Sequence, residues 1–283
     1  MSDSVLSEER KNVLFKIVAY AVFIGFAILT IFPLVWLFYS SFKPKLEILR
    51  HGLALPKNPT LQNYVRAWEL GHLGEYAINS LIYTFFSTGG VIILSMMTSF
   101  AFAKLRIKYK ITPILYNLFL GGLLITLHAI LIPLFLFETR IGLQDTYLGL
   151  ILPYIAIGLP FAIYLGTEFI KGIPDAIIDS AKIDGASYLQ VFLKIILPIS
   201  KPIIVTLTIL SVLGAWNEFL LAFILTSLKR SLPVGIYMFS GPLAIEYGLQ
   251  FAALVIGLAP VLLFYALFSK QITRGLTVGA IKG

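Results

Sequence analysis

Five stretches of this chain contain no Asp, Glu, Lys or Arg: residues 17–42, 76–103, 111–137, 146–167 and 247–269. Each exceeds the ~18 apolar residues that mark a candidate membrane-spanning helix. A sixth, 202–228, is interrupted by one charge, Glu218. Backbone groups in hydrocarbon have no water to bond, so such runs must form helices that satisfy their own N–H and C=O groups. The pattern predicts an all-α, polytopic membrane protein with six transmembrane helices. Composition agrees, because 58% hydrophobic against 13% charged residues leaves too little polar surface to coat a water-soluble fold of 283 residues. The chain has no cysteine, which excludes disulfides, thiolate metal sites and cysteine nucleophiles.

The net charge of +8 belongs with the membrane rather than with nucleic acid, since the basic residues form no patch with interleaved aromatics. With a cytoplasmic N-terminus, the inner segments hold Arg10, Lys11, Lys16, Lys104, Arg106, Lys108, Lys110, Lys171, Lys182, Lys194, Lys201, Lys270, Arg274 and Lys282. The outer segments hold Lys43, Lys45, Arg50, Lys57, Arg66, Arg140, Lys229 and Arg230. Fourteen against eight places both termini in the cytoplasm. The organisation expected is a cytoplasmic segment 1–16, a six-span domain 17–270 and a cytoplasmic tail 271–283. The first span is too long for a signal-peptide core and reads as an uncleaved anchor. The outer loop 43–75 is the longest and carries most of the dissenting charge, as a loop with a fold of its own would.

Between the fourth and fifth spans lies a segment unlike the rest, IDSAKIDGASYLQVFLKIILP, residues 178–198. Pro174 is well placed to open a helix. Asp175, Asp179 and Lys182 then fall on one face, with Ile177, Ile178 and Ala181 mostly on the other. Gly185 offers the left-handed conformation that ends a helix at little cost. Ser187 and Gln190 have the Ser-x-x-Gln spacing of a capping box. Tyr188, Val191, Phe192 and Ile195 should share the apolar side of a second helix that stops at Leu197-Pro198. The product is a bent helix pair on the inner membrane surface. Physically it is either an interfacial helix packed beneath its own bundle or a docking element for a soluble partner.

The same residues resemble the cytoplasmic signature loop of ABC-importer permeases: Glu-Ala-Ala, three residues, Gly, nine residues, Ile-x-Leu-Pro. This chain has Asp179-Ser180-Ala181, Gly185 and Ile195-Ile196-Leu197-Pro198 at that spacing. Ile183-Asp184-Gly185-Ala186 is similar to the carbohydrate-uptake branch, specifically the second permease of maltose-type systems. So are Pro59-Thr60-Leu61-Gln62-Asn63-Tyr64, Trp216-Asn217-Glu218-Phe219 and the tail from Gly275 to Gly283. Asp179 and Ser180 depart from the usual Glu and Ala, which keeps the charge on a shorter arm.

The resemblance implies a permease subunit of an ATP-driven importer, forming with a second permease a path for a sugar or oligosaccharide. It also implies a coupling loop, 172–198, in which Asp179, Ser180, Ala181, Asp184, Gly185, Ala186, Leu197 and Pro198 dock a cytoplasmic ATPase. The implied partners are that homologous permease, two ATPase copies, an extracytoplasmic solute-binding protein and membrane lipid. ATP and magnesium would sit on the ATPase, with no cofactor in this chain and no nucleic acid.

The residues themselves carry no catalytic chemistry. There is no Gly-x-x-x-x-Gly-Lys-Ser/Thr loop, no nucleophile elbow, and His51, His72 and His128 have no ligand-like spacing. His128, in the third run, reads as a packing or hydrogen-bonding residue. Gly89-Gly90 and Gly121-Gly122 read as close-packing positions. Glu218 is expensive, on the order of 2.5–3.5 kcal/mol at a helix centre by insertion scales. It either borders a solute path together with Trp216 and Asn217 or makes a structural bond to a neighbouring helix. An ion-coupled secondary transporter is the competing class, and usually shows internal repeats and several buried charges.

Overall fold

The computed structural model describes residues 2–105, 111–240 and 246–280. Arg106, Lys108, Lys110, Lys282 and the last residues of the tail motif lie outside that range. Every regular element among the described residues is helical: α1 (Ser2–Ser40), α2 (Lys45–Arg50), α3 (Gln62–Leu70), α4 (Leu73–Lys104), α5 (Ile111–Gly121), α6 (Leu127–Ile141) and α7 (Tyr147–Lys171). There follow α8 (Asp175–Ile183), α9 (Tyr188–Val191), α10 (Leu197–Ile199), α11 (Lys201–Asn217), α12 (Leu220–Leu225), α13 (Leu232–Tyr237) and α14 (Tyr247–Ala280).

Four single helices are long and apolar enough to cross a membrane: Leu14–Ser40, Leu73–Lys104, Tyr147–Lys171 and Tyr247–Ser269. Two further candidates are bent pairs, Ile111–Leu124 with Leu127–Ile141 at 98° and Tyr188–Ile199 with Lys201–Asn217 at 76°. The run 111–137 is therefore not one continuous helix. A 3-10 turn over Gly122–Leu124 and extended backbone at Ile125 and Thr126 break it. The run 202–228 is likewise broken, at Glu218, where the backbone is extended (φ −67°, ψ 127°). Hydropathy registers that a segment is apolar and says nothing about its direction.

The chain divides into two compact units, Met1–Gly71 with Met238–Ile256 and His72–Tyr237 with Gly257–Gly283. In the first, the loop after α1 folds on itself. Asn63 is buried and donates to the carbonyls of Ser41 (2.7 Å) and Lys43 (2.9 Å), while the Tyr64 and Ser41 hydroxyls meet at 2.6 Å. The Thr60 N–H reaches the Phe42 carbonyl at 2.9 Å. The Pro-Thr-Leu-x-Asn-Tyr stretch is thus a clasp that closes the loop onto the end of α1. A Cβ on Gly248 would lie 2.8 Å from the Asn63 amide, so α14 begins on the same clasp.

In the second unit, α4 and α7 pack side by side and α11 lies against α4. Small residues let the backbones approach. Gly90 of α4 faces Ile155, Gly158 of α7 faces Val91, and Gly166 faces Ser99, whose hydroxyl donates to the Ile163 carbonyl at 3.1 Å. Only one glycine of each pair is used, because Gly89 and Gly121 have open space where Gly90 meets Ile155 and Gly122 meets Pro160. His128 is exposed rather than packed. One apolar cluster joins Phe100, Ile170, Ile178, Val191 and Ile196, and a second joins Tyr83, Tyr154, Leu221 and Val234.

A Cβ at Gly166 would stand 2.5 Å from the Ser99 hydroxyl oxygen and 3.1 Å from its Cβ. Gly166→Leu should therefore destabilise the bundle by about 1–3 kcal/mol, the usual range for overpacking. Gly89→Ala, with open space at its Cβ, should not lower stability and should raise it by up to about 1 kcal/mol. The midpoint of thermal unfolding in detergent separates the two variants.

Candidate coupling loop and membrane cavity

The segment after α7 is anchored before it becomes a helix. Ile173 is buried, and the Lys104 ammonium at the end of α4 donates to its carbonyl at 2.6 Å and pairs with Asp175 at 2.6 Å. Pro174 (φ −59°, ψ 134°) opens α8. Ile178 is buried and Ala181 packs on the same cluster, while Asp179 and Ser180 are exposed. The Ser180 hydroxyl donates back to the Ala176 carbonyl at 2.8 Å.

The bend is a glycine-centred helix stop. Gly185 has φ +83°, its N–H bonds the Lys182 carbonyl at 3.0 Å, and the Ala186 N–H bonds the Ala181 carbonyl at 2.9 Å. Those two bonds are the Schellman closure. The capping box follows: the Ser187 hydroxyl accepts from the Gln190 N–H (3.3 Å), and the Gln190 side chain accepts from the Ser187 N–H (2.8 Å). Lys182 and Tyr188 bracket the turn, ammonium to hydroxyl 2.6 Å.

Two details differ from expectation. Tyr188 is exposed although Val191 and Phe192 of the same face are buried, its hydroxyl meeting the Lys182 ammonium instead; beyond it, residues 192–196 form a π-helical turn that shifts the register and buries Ile196. The helix also continues through Leu197 and Pro198 to Ile199. Pro198 sits in the first turn of α10, where a missing N–H costs little, and the break comes at Ser200. The loop thereby runs without a gap into α11. What it leaves uncovered is Asp179, Asp184, Gly185, Pro198 and, most fully, Ile183 at 86% exposure.

Within the bundle lies a cavity of about 240 Å³, mostly apolar, bordered by Ser87, Thr88, Tyr154, Ser211, Gly214 and Glu218 among others. Glu218 ends α11, and its carboxylate accepts the Tyr154 hydroxyl (2.7 Å) and the N–H groups of Leu221 (2.8 Å) and Ala222 (3.1 Å). It closes one helix and caps the next, meeting the donors that a break inside a membrane would orphan. Of the three motif residues only Glu218 borders the cavity. Trp216 is buried elsewhere in the bundle, and the exposed Asn217 donates to the Leu213 carbonyl one turn back (2.8 Å).

Three residues had no distinguishing signal in the sequence. Tyr154 stands among other apolar-run tyrosines. Glu138, next to the third run, is only 2% exposed. Asp145 adopts φ +59° and its carboxylate accepts the N–H groups of Ser227, Leu228 and Lys229 at 2.8–3.2 Å. Burial pushes its carboxyl up, but those three donors and the Lys229 ammonium outweigh burial and hold it below the ordinary carboxylate value.

Residues 79–278 match the family described as binding-protein-dependent transport system inner membrane component. The chain belongs to that family. The permease is 36% identical over 268 residues to the trehalose transport system permease of Mycobacterium tuberculosis, covering 92% of this chain and 94% of that one. It is 32% identical over 286 residues to the diacetylchitobiose uptake system permease of Streptomyces coelicolor, covering 100% of this chain and 93% of that one. Its fold is that of a chain in a bacterial ABC transporter involved in alginate import, with a TM-score of 0.80 at 21% identity over 92% of this chain and 97% of the other. It is therefore a multi-pass permease subunit of an ABC importer, a transport component rather than an enzyme. The ion-coupled alternative has no support in these likenesses.

Removing the acceptor at the helix break should be costly. Glu218→Ala strands three donors, each worth about 1.5–3 kcal/mol when bonded to a charged group. Tyr154→Phe removes one donor and leaves the other two paired, so its loss of thermal stability should be the smaller. Asp145 gives a pH signature. Its folded pKa is depressed, so its contribution is present above the unfolded carboxyl value of about 3.9 and is lost as pH falls through the folded value. Asp145→Asn should lower the unfolding midpoint at pH 7, and the gap to the parent should close on acidification towards pH 3.

Proposed function

We propose that this permease carries a sugar or oligosaccharide across the cell membrane, with a second homologous permease, two copies of a cytoplasmic ATPase and an extracytoplasmic solute-binding protein. The sugar assignment is supported by relatives whose names specify trehalose and diacetylchitobiose transport. In this reading the chain crosses the membrane six times, each bent pair counting once, and both termini are cytoplasmic. ATP and magnesium are held by the ATPase.

The observation that carries the reading is the loop 172–198. It is fastened by Lys104, Ile173, Ile178 and Ile196, yet leaves Asp179, Ile183, Asp184 and Gly185 uncovered. An element serving only its own bundle has no use for an isoleucine standing in water at the tip of a rigid bend. In the proposal, Asp179, Ser180, Ala181, Asp184, Gly185 and Ala186 meet the ATPase, and Leu197-Pro198 passes the motion into α11. The Glu218 cavity borders the solute path, where its walls can receive the apolar face of a sugar ring and its carboxylate the hydroxyls.

Gly185 tests the loop. No atom lies within 4 Å of its missing Cβ, so a substitution is opposed by its φ of +83° alone. Gly185→Val should impose about 1–2 kcal/mol of local strain. It should leave the permease in the membrane but weaken co-purification of the ATPase or uncouple ATP hydrolysis from uptake. Normal retention and normal uptake together would make Gly185 a passive linker.

A further inference from the structure

Two residues on the wall of the Glu218 cavity cost the fold stability and gain no contact within it. The first is Gly214, inside α11 and four residues before the break at Glu218. Glycine in a helix interior is less stable than alanine, because it loses more backbone freedom on folding. Close packing or a left-handed φ usually accounts for one. Gly158, the other glycine on this wall, is accounted for by packing, since a Cβ there would stand 2.9 Å from the Val91 side chain. Gly214 has neither reason. Its φ is not positive, and no atom lies within 4 Å of where its Cβ would be.

The second residue is Thr88 of α4. It is 7% exposed, and its hydroxyl has no hydrogen-bond partner among the described residues. Ser87 beside it does pair, donating to the Tyr83 carbonyl at 2.6 Å. A buried hydroxyl without a partner is destabilising. Glu218 has capacity left as well. An ionised carboxylate offers about four lone-pair positions, and Tyr154, Leu221 and Ala222 take three of them. One mostly apolar cavity thus carries a bare stretch of helix backbone, an unpaired hydroxyl and a spare acceptor position.

We propose that Gly214 sets the width of the solute path, with a sugar ring lying against the bare backbone of α11 while its hydroxyls bond Thr88 and Glu218. The inference rests on the sugar-permease reading above and deepens it. The occupant has to be apolar on one side and a hydrogen-bond donor on another. A sugar ring is both, with C–H groups on its faces and hydroxyls around its rim. An aliphatic side chain from a neighbouring subunit would fill the space but leave Thr88 and Glu218 as they are. Glycine at 214 and threonine at 88 are stability given up for passage.

Gly214→Ala, Gly214→Leu and Thr88→Val are compared with the parent in the assembled transporter, reconstituted in vesicles with its binding protein. Uptake is measured with a panel of labelled plain and N-acetylated disaccharides. The thermal unfolding midpoint and the retention of the second permease and the ATPase are followed in parallel. Neither Gly214→Ala nor Thr88→Val should lower the midpoint, because one adds a methyl in open space and the other removes an unpaired hydroxyl. Uptake should nonetheless fall several-fold for both, and by roughly tenfold or more for Gly214→Leu, the scale of added carbons in a pocket. Normal uptake by the Gly214 variants in an intact complex would overturn the proposal. So would a lowered midpoint or a lost subunit already at Gly214→Ala, which would mean that protein occupies the space. Should Gly214→Leu fail to assemble, Gly214→Ala and Thr88→Val decide. A parent complex that imports none of the sugars would defeat the carbohydrate reading and the proposal with it, whereas a working parent with unaffected variants defeats the proposal alone.

Discussion

A helix that stops inside an apolar bundle leaves backbone N–H groups with nothing to bond, and this permease solves that problem at Glu218. One carboxylate receives two N–H groups of the next helix and the Tyr154 hydroxyl of α7. The cost of a part-buried charge is offset by three charge-assisted bonds. With the break held, α11 can approach α4 and still yield a cavity beside it. The structural bond expected of Glu218 is present, and the same carboxylate borders the cavity.

The loop between α7 and α11 follows the same logic of paying for irregular backbone with specific partners. The Gly185 turn satisfies its carbonyls through the Ala186 and Gly185 N–H groups, and Ser187 with Gln190 satisfies the donors that follow. Lys104 ties the start of α8 to α4, the Ile173 N–H bonds the Ile170 carbonyl of α7, and α10 leads into α11 at Ser200. A load applied to α8 thus reaches three helices through short contacts rather than through a slack loop. On the proposed assignment, closure of the ATPase would move those helices together and rock the bundle about its cavity.

Much of this was legible in residue patterns. Charge-free runs located the apolar segments, and Gly185 and the Ser187–Gln190 spacing marked a turn and a cap that depend on local chemistry alone. The breaks were not legible, because leucine-rich sequence is equally apolar on both sides of a bend. In the second loop helix the apolar face was legible at Val191 and Phe192, but one π-helical turn shifts every later residue and buries Ile196, and Tyr188, at the helix start before that turn, meets Lys182 instead. Asp145 and Glu138 carry no local pattern, since their surroundings are assembled from distant segments. The partners of Asn63 likewise come from about twenty residues away in sequence, so its motif could be recognised without its purpose being visible.

The central claim, that this chain is the membrane path of an ATP-driven carbohydrate importer, is tested most directly by uptake in reconstituted vesicles. The permease pair, its ATPase and its binding protein would be assembled with ATP on the cytoplasmic side, and labelled di- and oligosaccharides offered from the other. Uptake should require ATP and the binding protein, and should persist when ionophores collapse proton and sodium gradients. Uptake that continued without ATP and ceased with the ionophores would contradict the account.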